Sequence, residues 1–119
     1  MEYKGQQLQK RAEIIKNLID QKKGLDIVLF DLREQGYYVD MVVVATIMAD
    51  RHGFALLDYL KEKLKKEGEE FLGIDKSEDW IVIDLGDILI HLMSQEYRAK
   101  YQIDQFLTTI KGSQRIANR

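Results

Sequence analysis

Hydrophobic residues in this chain follow two rhythms, a helical period near the start and middle and near-continuous short runs elsewhere. Leu8, Ala12, Ile15, Leu18 and Ile19 recur every three or four positions, which predicts a helix over 6–22 with one apolar stripe. Gly24 is its expected stop, and the basic pair Lys22–Lys23 suits the negative end of the helix dipole in the last turn. The run 25–32 (LDIVLFDL) is apolar almost throughout, which predicts a strand buried on both faces, as a central strand is. Gly36 marks a loop, and 39–46 (VDMVVVAT) repeats the pattern with β-branched valines. Phe54, Leu57, Leu60 and Leu64 share one face of a second helix over 50–67, with Asp50 as N-cap and Gly68 just past its end. Residues 71–75 predict a short strand, followed by a polar bridge over Lys76–Asp79. Two further strands, 80–84 (WIVID) and 88–93 (ILIHLM), flank the three-residue loop Leu85-Gly86-Asp87, a hairpin signal. Ser94 caps a helix over 95–101, and 103–110 adds a last turn or helix.

The order α, β, β, α, β, β, β, α predicts an α/β fold: one mixed sheet with helices packed on it. A length of 119 residues suits a single domain, here 1–110, followed by a basic tail over 111–119. With 45% hydrophobic residues the chain can build a core. The absence of cysteine excludes disulfides, thiolate metal sites and cysteine catalysis. Met1–Lys10 is polar, with no apolar leader segment, and the longest apolar runs are strand-length, far short of the roughly 20 residues that span a bilayer. A cytoplasmic protein is the expectation.

Charge is unevenly placed. Residues 1–24 hold six Lys/Arg against three Asp/Glu, residues 25–94 seven against fifteen, and residues 95–119 five against two. The acidic middle argues against wrapping a phosphate backbone and suits a basic protein surface better.

Candidate chemistry is sparse. Trp80, the one tryptophan, reads either as an interface anchor or as a half-buried sheet residue. Asp84, Asp87 and His91 could form a metal or acid–base group, but Asp84 and Asp87 stand three apart across a turn. Magnesium-dependent nucleotidyl transfer needs two carboxylates on one strand face. Turn chemistry is the favoured reading for both aspartates, and a hydrogen-bonded structural role for His91. No cofactor and no metal site is expected. His52, beside Arg51, reads as a solvated helix end. Arg98 and Tyr101 are three apart on one helix and share a face, either toward a partner or clamping the hairpin. The lysines from Lys61 to Lys66 read as a solvated face.

Several stretches carry a resemblance. Lys23-Gly24-Leu25-Asp26-Ile27 opens like the first strand of the ribosomal silencing factor (Iojap-related) family, and Asp40 with its valines resembles the second. The run from Asp79 and Trp80 through Asp84, Gly86, Asp87 and His91, continued by Glu96, Arg98 and Tyr101, resembles the family's most specific block. The likeness covers about residues 8–107. Ile47 departs from it where the family usually has a glycine, and Asp75-Lys76 stands where Glu-Gly is usual. The resemblance implies a nucleotidyltransferase-like fold without catalysis. It implies docking on the large ribosomal subunit through ribosomal large-subunit protein fourteen, and a steric block to joining of the small subunit when nutrients are scarce. Trp80, Leu85, Met93, Arg98 and Tyr101 are then the expected contacts, with Asp84, Asp87 and His91 shaping the hairpin, and a peripheral ribosomal RNA contact is the competing reading of Lys61 to Lys66. Competing readings are a large-subunit assembly factor, a degenerate nucleotidyltransferase, and a homodimer that pairs through the hairpin edge.

Overall fold

A computed structural model describes the backbone of residues 2–48 and 50–117, and the side chains of 7–48 and 51–111. The N-cap expected at Asp50 therefore lies outside the described side chains. The elements are α1 (Glu2–Gln21), β1 (Leu25–Asp31), β2 (Met41–Ile47), α2 (Asp50–Lys66), β3 (Gly73–Lys76), β4 (Trp80–Asp84), β5 (Ile88–Ser94), α3 (Gln95–Tyr101) and α4 (Ile103–Ala117). The last helix continues to Ala117, into the segment read from sequence as a tail.

The five strands form one sheet in the order β1-β2-β5-β4-β3. β2 and β5 run parallel in the centre; the other pairs are antiparallel. Strand alternation gives the sheet two faces. One carries Val43, Ala45, Ile47, Ile81, Ile83, Ile88, Ile90 and Leu92 against α1 and α2, whose Ile15, Ile19, Leu56 and Leu60 are buried there. The other carries Phe30, Val42, Val44 and Leu89 against Leu107 of α4. Each fully buried Ile or Leu contributes about 2 kcal/mol by removing apolar surface from water, so the larger first face holds most of the stability.

The expectation of a central β1 is corrected. β1 lies at the sheet edge, and Leu25 and Val28 are exposed. Its apolar run reflects partial cover by α1 and α4 on the two faces, which an apolar count cannot distinguish from the interior of a sheet. A register shift between Leu25 and Val28, with Asp26 at φ 47°, bends this edge. The expected hairpin edge is corrected too. β4 and β5 do form the hairpin, but β5 pairs onward with β2 and β4 with β3. The free edges belong to β1 and the four-residue β3.

Helix endings follow local chemistry. Beyond α2, Gly68 has φ 91°, with Glu69 N–H donating to the Leu64 carbonyl and Gly68 N–H to that of Lys65. This is the paired closure that a left-handed residue allows. At α1 the left-handed residue is Lys23, not Gly24, and Lys22 and Lys23 lie just beyond the helix. Gly24 serves another need: a Cβ there would meet Ile19 Cγ2 at 2.2 Å.

Candidate functional site

The second sheet face is built unevenly. α4 packs on β1, and Leu107 joins Val42 and Val44 of β2. Toward the hairpin, Trp80, Val82 and Asp84 alternate with the buried Ile81 and Ile83 and stay half-buried. Pairing sets Trp80 opposite Met93, and Val82 opposite His91, on this face. Ser94 then ends β5 and caps α3, its hydroxyl accepting from Tyr97 N–H at 3.2 Å. That tight junction brings α3 beside Trp80.

An aromatic patch results. The Trp80 ring lies 5.3 Å from that of Tyr101, and Tyr101 lies 5.5 Å from Tyr97, both tilted. Such pairs add about 0.5–1.5 kcal/mol beyond burial alone. Lys100 places its ammonium 5.5 Å from the Tyr101 ring centre and 5.7 Å from that of Tyr97. Trp80 is held from below: its indole N–H donates to His91 Nδ1 at 2.9 Å. His91 is buried, 8% exposed. Burial pushes its pKa down to about 4, because the charged imidazolium loses hydration there. The ring is therefore neutral at physiological pH, with Nδ1 an acceptor and the proton on Nε2.

The other expected site residues divide. Asp84 accepts from Gly86 N–H at 2.8 Å, and Gly86 takes φ 96°, which is turn chemistry. Asp87 holds Arg11 through both oxygens, at 2.7 and 2.8 Å, while Arg11 also grips Glu69. These two hydrogen-bonded carboxylates keep the guanidinium charged. The hairpin tip is thus tied to α1 and to the segment after α2. Leu85 and Met93, expected as surface contacts, are 7% and 0% exposed. Leu85 folds back into the first-face core and Met93, the strand partner of Trp80, is fully covered, so neither has surface to offer. Alternation of apolar residues marks a face but not what covers it.

Arg98 and Tyr101 share a helix but diverge. Tyr101 is 48% exposed over Trp80. Arg98 turns inward, donating to both Asp104 oxygens, to Thr46 Oγ1 at 2.8 Å and to the Asp26 carbonyl at 2.7 Å. It clamps α3, α4, β1 and β2 together, rather than the hairpin. Its hydrogen bonds, helped by its positive charge, hold the Asp104 carboxyl below the usual range. Tyr97, not among the expected contacts, completes the patch. Its four-residue spacing from Tyr101 on a helix was the available signal. Arg11 had none, since its partners stand 58 and 76 residues away.

His52 is also corrected: it is a bridge, not a solvated end. Nδ1 accepts from Met48 N–H at 3.0 Å and Nε2 donates to the Lys22 carbonyl at 2.7 Å. Ile47 is buried, and its Cδ1 fills the space where a Cβ on Gly53 would sit. Among the described residues no group of three or more His, Cys, Asp or Glu could hold a metal, and no helix is long and apolar enough to cross a membrane.

Comparisons with known proteins agree with this architecture. A family model described as "Ribosomal silencing factor during starvation" matches residues 5–117. The chain is 35% identical over 96 residues to ribosomal silencing factor RsfS of Haemophilus influenzae, spanning 79% of this chain and 94% of that protein. A crystal structure of a Chromobacterium violaceum protein superposes with a TM-score of 0.79 at 26% identity, covering 84% of this chain and 85% of that one. The mouse protein named "Mitochondrial assembly of ribosomal large subunit protein 1" is 27% identical over 101 residues, 81% of this chain and 44% of that longer protein.

Proposed function

Since this chain belongs to the ribosomal silencing factor family, we propose that it binds the large ribosomal subunit through ribosomal large-subunit protein fourteen and blocks joining of the small subunit by its bulk. The observation that carries the reading is the Trp80–Tyr101–Tyr97 patch on the less covered side of the hairpin. Aromatic side chains held rigid at a surface lose little conformational freedom on binding, and they dominate interface energies. The acidic excess over residues 25–94 suits a basic partner and speeds its approach. A body of 45 × 34 × 22 Å seated on a joining face leaves no room for a second subunit there.

The reading is one of binding rather than catalysis. Asp84 and Asp87 are committed to the Gly86 turn and to Arg11, so neither supports the nucleotidyl-transfer alternative. Purified chain should pull down isolated protein fourteen and large subunits but not small subunits. Failure to bind either would end this proposal. A second reading, as a large-subunit assembly factor, draws on the name of the mouse relative. Sedimentation profiles of cells lacking the protein separate the two: accumulated large-subunit precursors mean assembly, and excess joined ribosomes in starvation mean silencing.

A further inference from the structure

The hydrogen bond beneath Trp80 has a consequence for recognition. An indole has one polar atom, a donor. Here that donor is spent inside the protein, on His91 Nδ1 at 2.9 Å. Any partner on this patch therefore meets Trp80 as an aromatic surface, not as a hydrogen-bond donor. The side of the ring toward α3 is fixed by Tyr101 at 5.3 Å, itself braced by Tyr97. The strand end is fixed as well, because Ser77 Oγ donates to the Trp80 carbonyl at 2.8 Å and Ser94 N–H to the Asp79 carbonyl at 2.9 Å. Backbone, ring face and ring edge are each held by a separate contact, and His91 is the one that holds the edge.

We infer that His91 is the positioning residue for the docking patch: without touching the partner, its Nδ1 fixes the rotamer of Trp80, and this pre-ordering sets the affinity. This rests on the docking reading above. His91 suits the role through its place in the sheet. It stands in β5, between β2 and β4, paired with Val44 on one side and Val82 on the other, so its ring cannot follow the indole if the indole swings. A neutral acceptor on a rigid central strand fixes a side chain on the neighbouring strand more firmly than a surface residue could. Rotamer freedom removed in the free protein is not lost again on binding.

Asn and Leu at position 91 separate positioning from packing. Asn places its side-chain oxygen near the position of Nδ1, whereas Leu fills space without an acceptor. The single tryptophan makes emission and the indole N–H resonance specific for this contact. In the unaltered protein the indole N–H should exchange with solvent far more slowly than a free indole. His91→Leu, folded by circular dichroism, should shift Trp80 emission, speed that exchange and weaken large-subunit binding roughly tenfold, as loss of one well-ordered hydrogen bond does. His91→Asn should recover most of all three. The proposal is overturned if the indole N–H of the unaltered protein exchanges freely, a measurement that needs no variant. It is equally overturned if His91→Leu binds like the parent, or if His91→Asn is as weak as His91→Leu. Absence of any binding by the unaltered protein would instead remove the docking reading, and with it the affinity part of this inference; the exchange measurement then still decides whether His91 holds the ring.

Discussion

Arg98 and Asp104 form a forked ion pair across the break between α3 and α4, with Nε to Oδ1 at 2.7 Å and the second nitrogen to Oδ2 at 2.8 Å. The chain turns there through Gln102 in a left-handed conformation, φ 49°. One side chain thus sets how α4 meets the sheet, since the same guanidinium also holds Thr46 and the Asp26 carbonyl. The Arg98 side chain is only 11% exposed, against 38% for Asp104, so its removal leaves the buried Thr46 hydroxyl without its donor while water can reach Asp104.

Arg98→Ala should therefore cost roughly 1–3 kcal/mol of folding stability, within the range for hydrogen bonds to a charged group with one partner open to water. Arg98→Lys should recover little, because an ammonium cannot reproduce the planar fork. Urea denaturation followed by circular dichroism measures both. A loss in Arg98→Ala no larger than that of an exposed substitution would show that the clamp is ornamental.

Gly24 offers a test of close packing rather than of backbone freedom. A methyl group at this position would overlap Ile19 Cγ2, and it would also approach the Ile19 carbonyl oxygen to 3.2 Å. Gly24→Ala should destabilise the protein by about 1–3 kcal/mol, as overpacking does. Pairing it with Ile19→Ala, which removes Cγ2, should cost less than the sum of the two changes made singly. Simple additivity in thermal melts would contradict the contact.

These two sites show where the sequence was readable and where it was not. Helix stripes, the Leu85-Gly86-Asp87 turn and the Ser94 cap depend on neighbours within a few positions, and each is found where the pattern placed it. The sheet order depends on which strand lies beside which. An apolar run such as 25–31 has the same composition whether helices or other strands cover it, so the edge position of β1 was not legible. The site divides in the same way. Trp80, Tyr101 and the structural role of His91 could be read from a hairpin followed by a capped helix. The inward turn of Arg98 could not, because Thr46 and Asp26 are distant in sequence and reach it only through folding.

Protonation of His91 gives a third expectation. Burial lowers its folded pKa to about 4 from an ordinary 6.5. Between those values the unfolded chain binds the proton and the folded one does not. Stability from this group is therefore complete above about pH 6.5 and falls as pH drops toward 4, by roughly 3 kcal/mol in all for a shift of this size. Carboxylates held low by arginine, such as Asp104 by Arg98, act mainly below this window. His91→Asn should flatten the stability profile between pH 4 and 6.5 relative to the parent protein. An unchanged slope would place the titration elsewhere.

In the proposed function the Trp80 patch seats this protein where it keeps the ribosomal subunits apart. The most direct measurement mixes isolated large and small subunits with the unaltered protein or with Trp80→Glu, and quantifies joined ribosomes by sedimentation. The unaltered protein should bind large subunits and lower the joined fraction, while Trp80→Glu, folded by circular dichroism, should do neither. Joining that proceeds equally with the unaltered protein bound would contradict the proposed function.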